Sequence, residues 1–456
     1  MTDYGINVVT QFKPINRKNI HKIAQWELLD PELRWVLLVV SAVLPFRANR
    51  YVVDELIDWD NVPDDPMFQL VFPQRGMLDR VDFEIIAGLM EKGAPEAEIV
   101  KRSNEIRHRM NPHPSGQMEH NVPRLDGRRL PGMQHKYRET VLFFAAQAQT
   151  CHSYCTFCFR WAQFVGDRGL KFESSSADDL TAYLERHSEV TDLLFTGGDP
   201  MVMSAEVLGR YVEPLLHPRL EHVQTIRIGT KAVSYWPQRF VSDRDADDLM
   251  RLFEGIVDSG RHLAVMAHYS HPAELSTPVA RRALRRIRST GAEVRIQSPL
   301  VRHVNDDPDV WAETWRTGVR LGAVPYYMFV ERDTGPKSYF EVPLAEAWEI
   351  YQGATQQVSG LGRTASGPVM SALTGKVRLA GVTSIEGMKV FVLEYLQARD
   401  PDWVHRPFFA EFDHEATWFD QLHPVYDNED VYFQMPGDDE TDGELCECEE
   451  QSEIFS

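Results

Sequence analysis

The chain has 456 residues, 43% hydrophobic and 25% charged, with a formal net charge of −20 and five cysteines. That composition is globular and excludes a wholly disordered or fibrous protein. The acidic balance argues against a binder of phosphate backbones, and five cysteines in this length do not make a disulfide framework.

The first residues, MTDYGINVVTQFKPINRK, lack the apolar core and small-residue cleavage site of a signal peptide. Residues 1–135 read as a mainly helical N-terminal region. The most apolar run, from Trp35 to Phe46, contains Ser41 and Pro45. It falls short of the ~20 residues that span a bilayer, so it predicts a buried helix. The expectation is a soluble cytoplasmic protein with no membrane and no nucleic-acid partner. A Pro-rich connector covers 111–132. His108, His113 and His120 lack regular spacing and read as surface residues.

From residue 141 the pattern changes. Six apolar runs of strand length recur: 141–148, 192–198, 225–230, 263–270, 293–300 and 324–330. Amphipathic stretches such as SADDLTAYLERHSE and PVARRALRRIRSTG separate them. Strand then helix, repeated, predicts a parallel sheet with crossover helices, doubly wound or a full or partial barrel. In a barrel the chemistry sits at the C-terminal strand ends. MKVFVLEYL predicts one further strand. The aromatic-rich segment through 381–437 (Trp403, Phe408, Phe409, Phe412, Trp418, Phe419) is expected to wrap the barrel surface. The acidic tail 438–456 holds nine of the chain's acids, leaving −11 on the rest, and is expected to be disordered. Cys446 and Cys448 lie in it and offer two ligands where a structural zinc takes four.

At the end of the first run comes CHSYCTFCFRW. Cys151, Cys155 and Cys158 are spaced C-x3-C-x2-C. Three thiolates leave one position of a four-coordinate site open. For a [4Fe–4S] cluster, normally held by four cysteines, one iron then lacks a protein ligand. A zinc site would draw a fourth ligand from nearby, and the adjacent His152 points the wrong way in most loop geometries. The second run ends in FTGGDPMVMS. Gly197 and Gly198 permit close backbone approach, and Asp199 offers a carboxylate to an ammonium. Gly-Asp-Pro is also turn chemistry.

The cysteine spacing resembles the signature of radical S-adenosylmethionine (SAM) enzymes, and GGDP is similar to their GGE-type motif. The resemblance implies a partial (β/α)6 TIM-type barrel, with SAM chelated by the open iron. It also implies reductive cleavage of SAM to a 5′-deoxyadenosyl radical, Phe157 against the adenine, and Gly197, Gly198 and Asp199 at the SAM amino group. In order, HKYRETVLF, CHSYCTFCFRW, LLFTGGDPMVMS, IRIGTKA with PQRF, AHYSHPAE, QSPLVRHVND and PYYMFV resemble the lysine 2,3-aminomutase family across roughly residues 120–380. That family uses pyridoxal 5′-phosphate (PLP). The radical removes a hydrogen from the β-carbon of an amino acid, and the nitrogen migrates.

By this resemblance Arg160 binds the substrate carboxylate. Lys376, at the end of SGLGRTASGPVMSALTGK, attaches PLP, and Lys136, Tyr137 and Arg138 hold its phosphate. The chain departs from the family in three places. The Gly-rich bed before the lysine reads MSALTG. The two aspartates that hold the ammonium of lysine align with Val369 and with Arg332, which stands between Glu331 and Asp333. Asp307 occupies the place of a family zinc cysteine.

A substrate other than lysine is therefore expected. Either Arg332 faces an acidic or polar side chain, or Asp333 or Glu331 serves a cation after a one-residue slip. The resemblance further implies a flavodoxin- or ferredoxin-type electron donor and a homo-oligomer. Two alternatives stand beside the aminomutase: a PLP-independent radical SAM dehydratase or dehydrogenase on the same scaffold, and a cluster-containing sensor.

Overall fold

The computed structural model describes residues 12–111, 121–166, 171–426 and 430–433. Cys446, Cys448 and the acidic tail lie outside the described residues.

Among the described residues, eleven strands form one sheet whose spatial order follows the chain. They are β1 (Met133–Tyr137), β2 (Thr140–Phe144), β3 (Asp192–Thr196), β4 (Thr225–Thr230), β5 (His262–His268) and β6 (Glu293–Leu300), then β7 (Val324–Val330), β8 (Ser366–Ser371), β9 (Gly375–Ile385), β10 (Met388–Ala398) and β11 (Pro407–Glu411). The strands from β2 to β8 run parallel, while β1 and the last three pair antiparallel.

One helix follows each strand from β2 to β7: α1 (Ala177–Arg186), α2 (Ala205–Val212), α3 (Ala246–Asp258), α4 (Pro278–Ser289), α5 (Pro308–Leu321) and α6 (Leu344–Gln356). This is a partial (β/α)6 barrel, as the family resemblance implies, and its parallel sheet with crossover helices is the one the alternation of runs predicts. Sequence pattern places six parallel strands, and the structure adds β8. Gly367 and Pro368 within it hide its strand character.

Each crossover helix forms for local reasons. In α4, Thr277 caps the N-terminus by accepting from Ala280 N, Pro278 stands in the first turn, and Ala280, Ala283, Leu284 and Ile287 are buried on one stripe. The strands meet that layer with alternate residues. Leu193 and Phe195 of β3 and Ile226 and Ile228 of β4 are fully buried in one core with Leu180, Leu184 and Leu208 of the helices. The period of two turns Asp192, Leu194, Thr196, Arg227 and Gly229 to the concave face, where they are half-buried. A parallel sheet covered on both faces reads as a nearly continuous apolar run. Polar residues on this concave face interrupt that pattern.

The first predicted run continues to residue 148, but β2 ends at Phe144 and Ala146–Ala148 forms a 3-10 turn. Alanine and glutamine favour helical φ/ψ, and Gln149 Nε2 donates to Ala145 O at 2.9 Å across the turn. The aromatic-rich segment contributes a strand, β11, which extends the sheet beyond β10 instead of only lying over the barrel. Phe408, Trp418 and Phe419 share a core with Tyr395 and Leu393 of β10.

Before the barrel, residues Pro31–Val43, Pro66–Val71, Arg80–Glu91 and Glu96–Arg109 are helical. Asp30 and Pro31 start the first of these, which contains most of the apolar run and buries Val39, Val40 and Val43. These helices share a core with Phe157, Trp161, Tyr235 and Trp236, residues that flank the cysteine loop and the end of β4. Asn49 fastens the two parts together. Its amide Nδ2 donates to His152 O at 3.1 Å and to Tyr235 O at 2.9 Å, and its Oδ1 accepts from Val52 N. Replacing Asn49 by Ala leaves these buried groups unpaired, at about 1–3 kcal/mol for each one not recovered by water. We expect Asn49→Ala to lower the urea midpoint of unfolding by fluorescence without changing the secondary structure seen by circular dichroism.

Candidate functional site

The cysteine loop leaves the C-terminal end of β2. Residues between Gln149 and Arg160 form neither helix nor strand, so their backbone groups need partners from elsewhere. Arg47 supplies several: Nη1 donates to Thr150 Oγ1 at 2.6 Å and to Cys151 O at 3.1 Å, while Arg47 O accepts from Tyr154 N and Ser153 Oγ. Thr156 N donates to Leu70 O. Cys151, Cys155 and Cys158 are free and half-buried.

Burial pushes the Cys151 thiol well above its ordinary range, and Asp199, Cys158 and Cys155 act in the same direction. Cys158 is pushed up to about 12 by burial and then by Cys155. The thiols are close enough to feel one another. Among the described residues no three His, Cys, Asp or Glu side chains are already gathered as a metal-holding group. Three neighbouring soft donors in one loop fit an iron–sulfur cluster by their chemistry. Binding would release their protons and draw the sulfurs together.

The GGDP loop at the end of β3 packs directly on this loop. Gly198 N and Asp199 N both donate to Ala148 O, at 2.9 and 3.0 Å. Gly197 has φ +142°, a backbone that only glycine adopts readily. At Gly198 a Cβ would lie 2.4 Å from Thr150 O and 2.5 Å from Thr150 N. The glycines therefore permit contact between two loops of the protein.

Asp199 differs from expectation. Its carboxylate accepts from Met201 N, Thr230 Oγ1, Lys231 N and Ala232 N, all within 3.0 Å, so its lone pairs are taken and it ties this loop to the end of β4. Phe157 is likewise directed into the core, edge-on to Phe340 at 6.2 Å.

On the concave side the structure gathers cations. Arg160 is buried over the Phe144 ring at 4.2 Å, and its Nε and Nη2 have no hydrogen-bond partner. Burial lowers it to about 10. Arg332 lies between Phe159 and Trp418, with Nε unpartnered. Lys136 is held well below its ordinary range by burial and then by Arg332, Arg399 and Lys376. Lys376 lies on β9, half-buried, 5.0 Å from the Tyr327 ring and 5.8 Å from that of Tyr137. Its Nζ donates to Gln397 Oε1 at 2.8 Å. Burial, then Arg227, lowers it to about 8.

Arg138 stands apart from this group, exposed in the turn between β1 and β2. Val369 is fully buried. Asp333 lies in the loop after β7 and acts on Arg332. Glu331 is buried with both carboxylate oxygens unpartnered. Its charged neighbours are Glu341 and Lys337, and burial pushes its carboxyl well above the usual range. Asp307 caps α5 by accepting from Asp309 N at 2.7 Å.

Sequence reasoning did not single out a second polar group, beyond β4 and β5. Lys231 Nζ pairs with fully buried Glu274 at 2.7 Å and donates to Ser270 Oγ at 3.2 Å. Glu274 also accepts from His271 N and Ser234 Oγ. Tyr235 Oη lies 3.3 Å from Cys155 Sγ. Their position just past strand ends was the available signal.

A partial barrel with its C-x3-C-x2-C loop at the first parallel strand's C-terminal end, braced by a Gly-Gly loop from the second, defines a radical SAM enzyme. The chain is 30% identical over 400 residues to an Aquifex aeolicus protein provisionally named L-lysine 2,3-aminomutase, covering 86% of this chain and 92% of the relative. Against L-lysine 2,3-aminomutase of Acetoanaerobium sticklandii it is 26% identical over 231 residues, 51% of this chain and 52% of that enzyme. No model of a known protein family matches the chain. Among solved structures, a radical SAM methyltransferase from Sphaerobacter thermophilus aligns over 65% of this chain and 94% of its own, with 17% identity and a TM-score of 0.36. The chain belongs to the lysine 2,3-aminomutase-like family. Among the described residues no helix is long and apolar enough to cross a membrane.

Gly198→Ala forces backbone against backbone and is expected to destabilise the protein by about 1–3 kcal/mol. At Gly229 a Cβ meets nothing nearer than 3.7 Å. Gly229→Ala should keep the wild-type urea midpoint, and equal midpoints for the two variants would contradict the close-packing argument.

Proposed function

We propose that the protein is a PLP-dependent amino acid 2,3-aminomutase whose substrate is not lysine. The observation that carries this reading is the clustering of Lys136 with Arg332 and Lys376, together with buried guanidinium N–H groups of Arg160 and Arg332 left without a partner. Buried guanidinium N–H groups without partners are costly, and the arrangement fits ligands that bring anions. A guanidinium fork suits a carboxylate, and Arg160 is the group to hold the substrate's. Lys136, with Tyr137 beside it, suits a phosphate. Lys376, lowered to about 8 by burial and Arg227, has a substantial neutral fraction at physiological pH and suits attachment of a carbonyl cofactor.

Cys151, Cys155 and Cys158 would hold the [4Fe–4S] cluster, and the backbone about Gly197 would face SAM. Bound there, the cluster and SAM supply a hydrogen-abstracting radical, and PLP supplies an electron sink for the migrating nitrogen. The protein's own part is to orient the amino acid by its carboxylate, raise the neutral fraction of the lysine amine and exclude water. A flavodoxin- or ferredoxin-type protein suits the electron supply.

Lysine is disfavoured by charge. A distal ammonium entering this cluster would meet Arg332 and Lys136. Val369 supplies no charge, and Glu331 already has Lys337 of this chain acting on it. A neutral or acidic side chain meets no such repulsion.

Anaerobic incubation of the reconstituted protein with SAM and reductant is expected to release 5′-deoxyadenosine. Its complete absence would favour a sensor. Deuterium transfer from a β-deuterated amino acid into that product, with L-lysine inactive, identifies the substrate. Borohydride treatment with PLP, followed by peptide mass spectrometry, should place an adduct on Lys376 and none in Lys376→Ala. An active enzyme without that adduct would support the PLP-independent alternative.

The pH dependence has a definite sign. Only the neutral amine reacts, so the rate of PLP incorporation rises with pH through about 8 and levels above it. Between pH 7 and 9 the neutral fraction grows about tenfold. Arg227→Gln removes a cation that lowers Lys376 and should move the midpoint upward. A pH-independent rate would contradict the assignment.

A further inference from the structure

We propose that Tyr235 is a positioning residue for the iron–sulfur cluster, donating a phenolic hydrogen bond to the Cys155 sulfur and thereby raising the cluster's reduction potential. The proposal rests on the reading that the three loop cysteines hold that cluster.

The geometry is specific. Tyr235 ends the short helix Ala232–Tyr235 immediately after β4 and is almost fully buried. Its hydroxyl oxygen lies 3.3 Å from Cys155 Sγ, hydrogen-bond distance for sulfur. As a thiol and a phenol, either group could donate. Once Cys155 ligates iron it has no proton, so the phenol alone can donate, and the interaction acquires one direction.

Two further contacts hold the phenol in place. Tyr235 O accepts from Asn49 Nδ2, the same amide that binds His152 O, so ring and cysteine loop share one anchor. Lys231 Nζ stands 4.8 Å from the ring centroid and is fixed by its 2.7 Å pair with Glu274. A cation over the ring face withdraws electron density from the phenol and strengthens its O–H as a donor, while Glu274 offsets the charge.

One-electron reduction of the cluster adds one negative charge, shared with the ligating sulfurs. A donor aimed at one of those sulfurs stabilises the reduced form more than the oxidised form, and so raises the potential. The hydrogen bond transfers no proton and leaves the electron on the cluster. The electron comes from the external one-electron donor.

The test is a redox titration followed by electron paramagnetic resonance of Tyr235→Phe, which keeps the ring and removes only the hydroxyl. The variant is expected to carry the wild-type iron and sulfide content. Its midpoint should fall by about tenfold in the reduction equilibrium, roughly 59 mV for one electron. An unchanged midpoint at full iron content overturns the proposal.

Pulsed resonance on the reduced wild-type protein gives a second readout, independent of how the variant folds. One strongly coupled proton, exchangeable in deuterium oxide, is expected, and its absence also overturns the proposal. Failure of the wild-type protein to assemble any cluster would instead overturn the underlying reading.

Discussion

The stretch from Gln149 to Arg160 has no secondary structure of its own, and the site depends on how its buried polar backbone is satisfied. Helices and strands pair their amides internally, but this segment cannot. Its partners come from Arg47, Asn49 and Leu70 before the barrel. Ala148 O, just before it, holds Gly198 and Asp199 after β3. The loop that carries the three thiols is held in place because residues far apart in the chain supply these contacts. The helices before the barrel thus belong to the site's construction.

A second constraint is electrostatic. The concave face of the sheet gathers more cations than acids. Asp192 pairs with Arg227 at 2.7 Å, and Glu293 with Arg295 at 2.9 Å. Arg160 retains two unpaired N–H groups and Lys136 is depressed by its cationic neighbours. Folding with such a field costs stability that a bound anion returns. At the strand ends the charges are instead balanced internally. Lys231 and Glu274 neutralise one another, and Asp199 is surrounded by donors. One part of the barrel therefore carries unpaired buried cations, and the other holds loops still.

Much of the architecture is legible from the sequence. Alternating apolar residues mark the parallel strands, and caps such as Thr277 with Pro278 mark helix starts. Strand β8 is hidden because Gly367 and Pro368 obscure its pattern. The loop cysteines are legible from their spacing. Asp199 illustrates the opposite case. Its Gly-Gly-Asp context suggests a ligand for an ammonium, yet four donors from two segments converge on it only after β4 is laid beside β3. Arg138 follows Lys136 and Tyr137 in sequence, but the turn leaves it in solvent.

By itself, the sequence determined the order of strands and helices and the spacing of three thiols, because both follow from contacts within a few residues. Through the family resemblance it also raised the expectation that Arg332 and Val369 stand in place of the ammonium-binding aspartates. Only the tertiary structure decided which polar side chains remain available. Burial of Arg160, saturation of Asp199 and the approach of Tyr235 to Cys155 each arise from residues distant in the chain, through strand register and loop packing that no local pattern encodes.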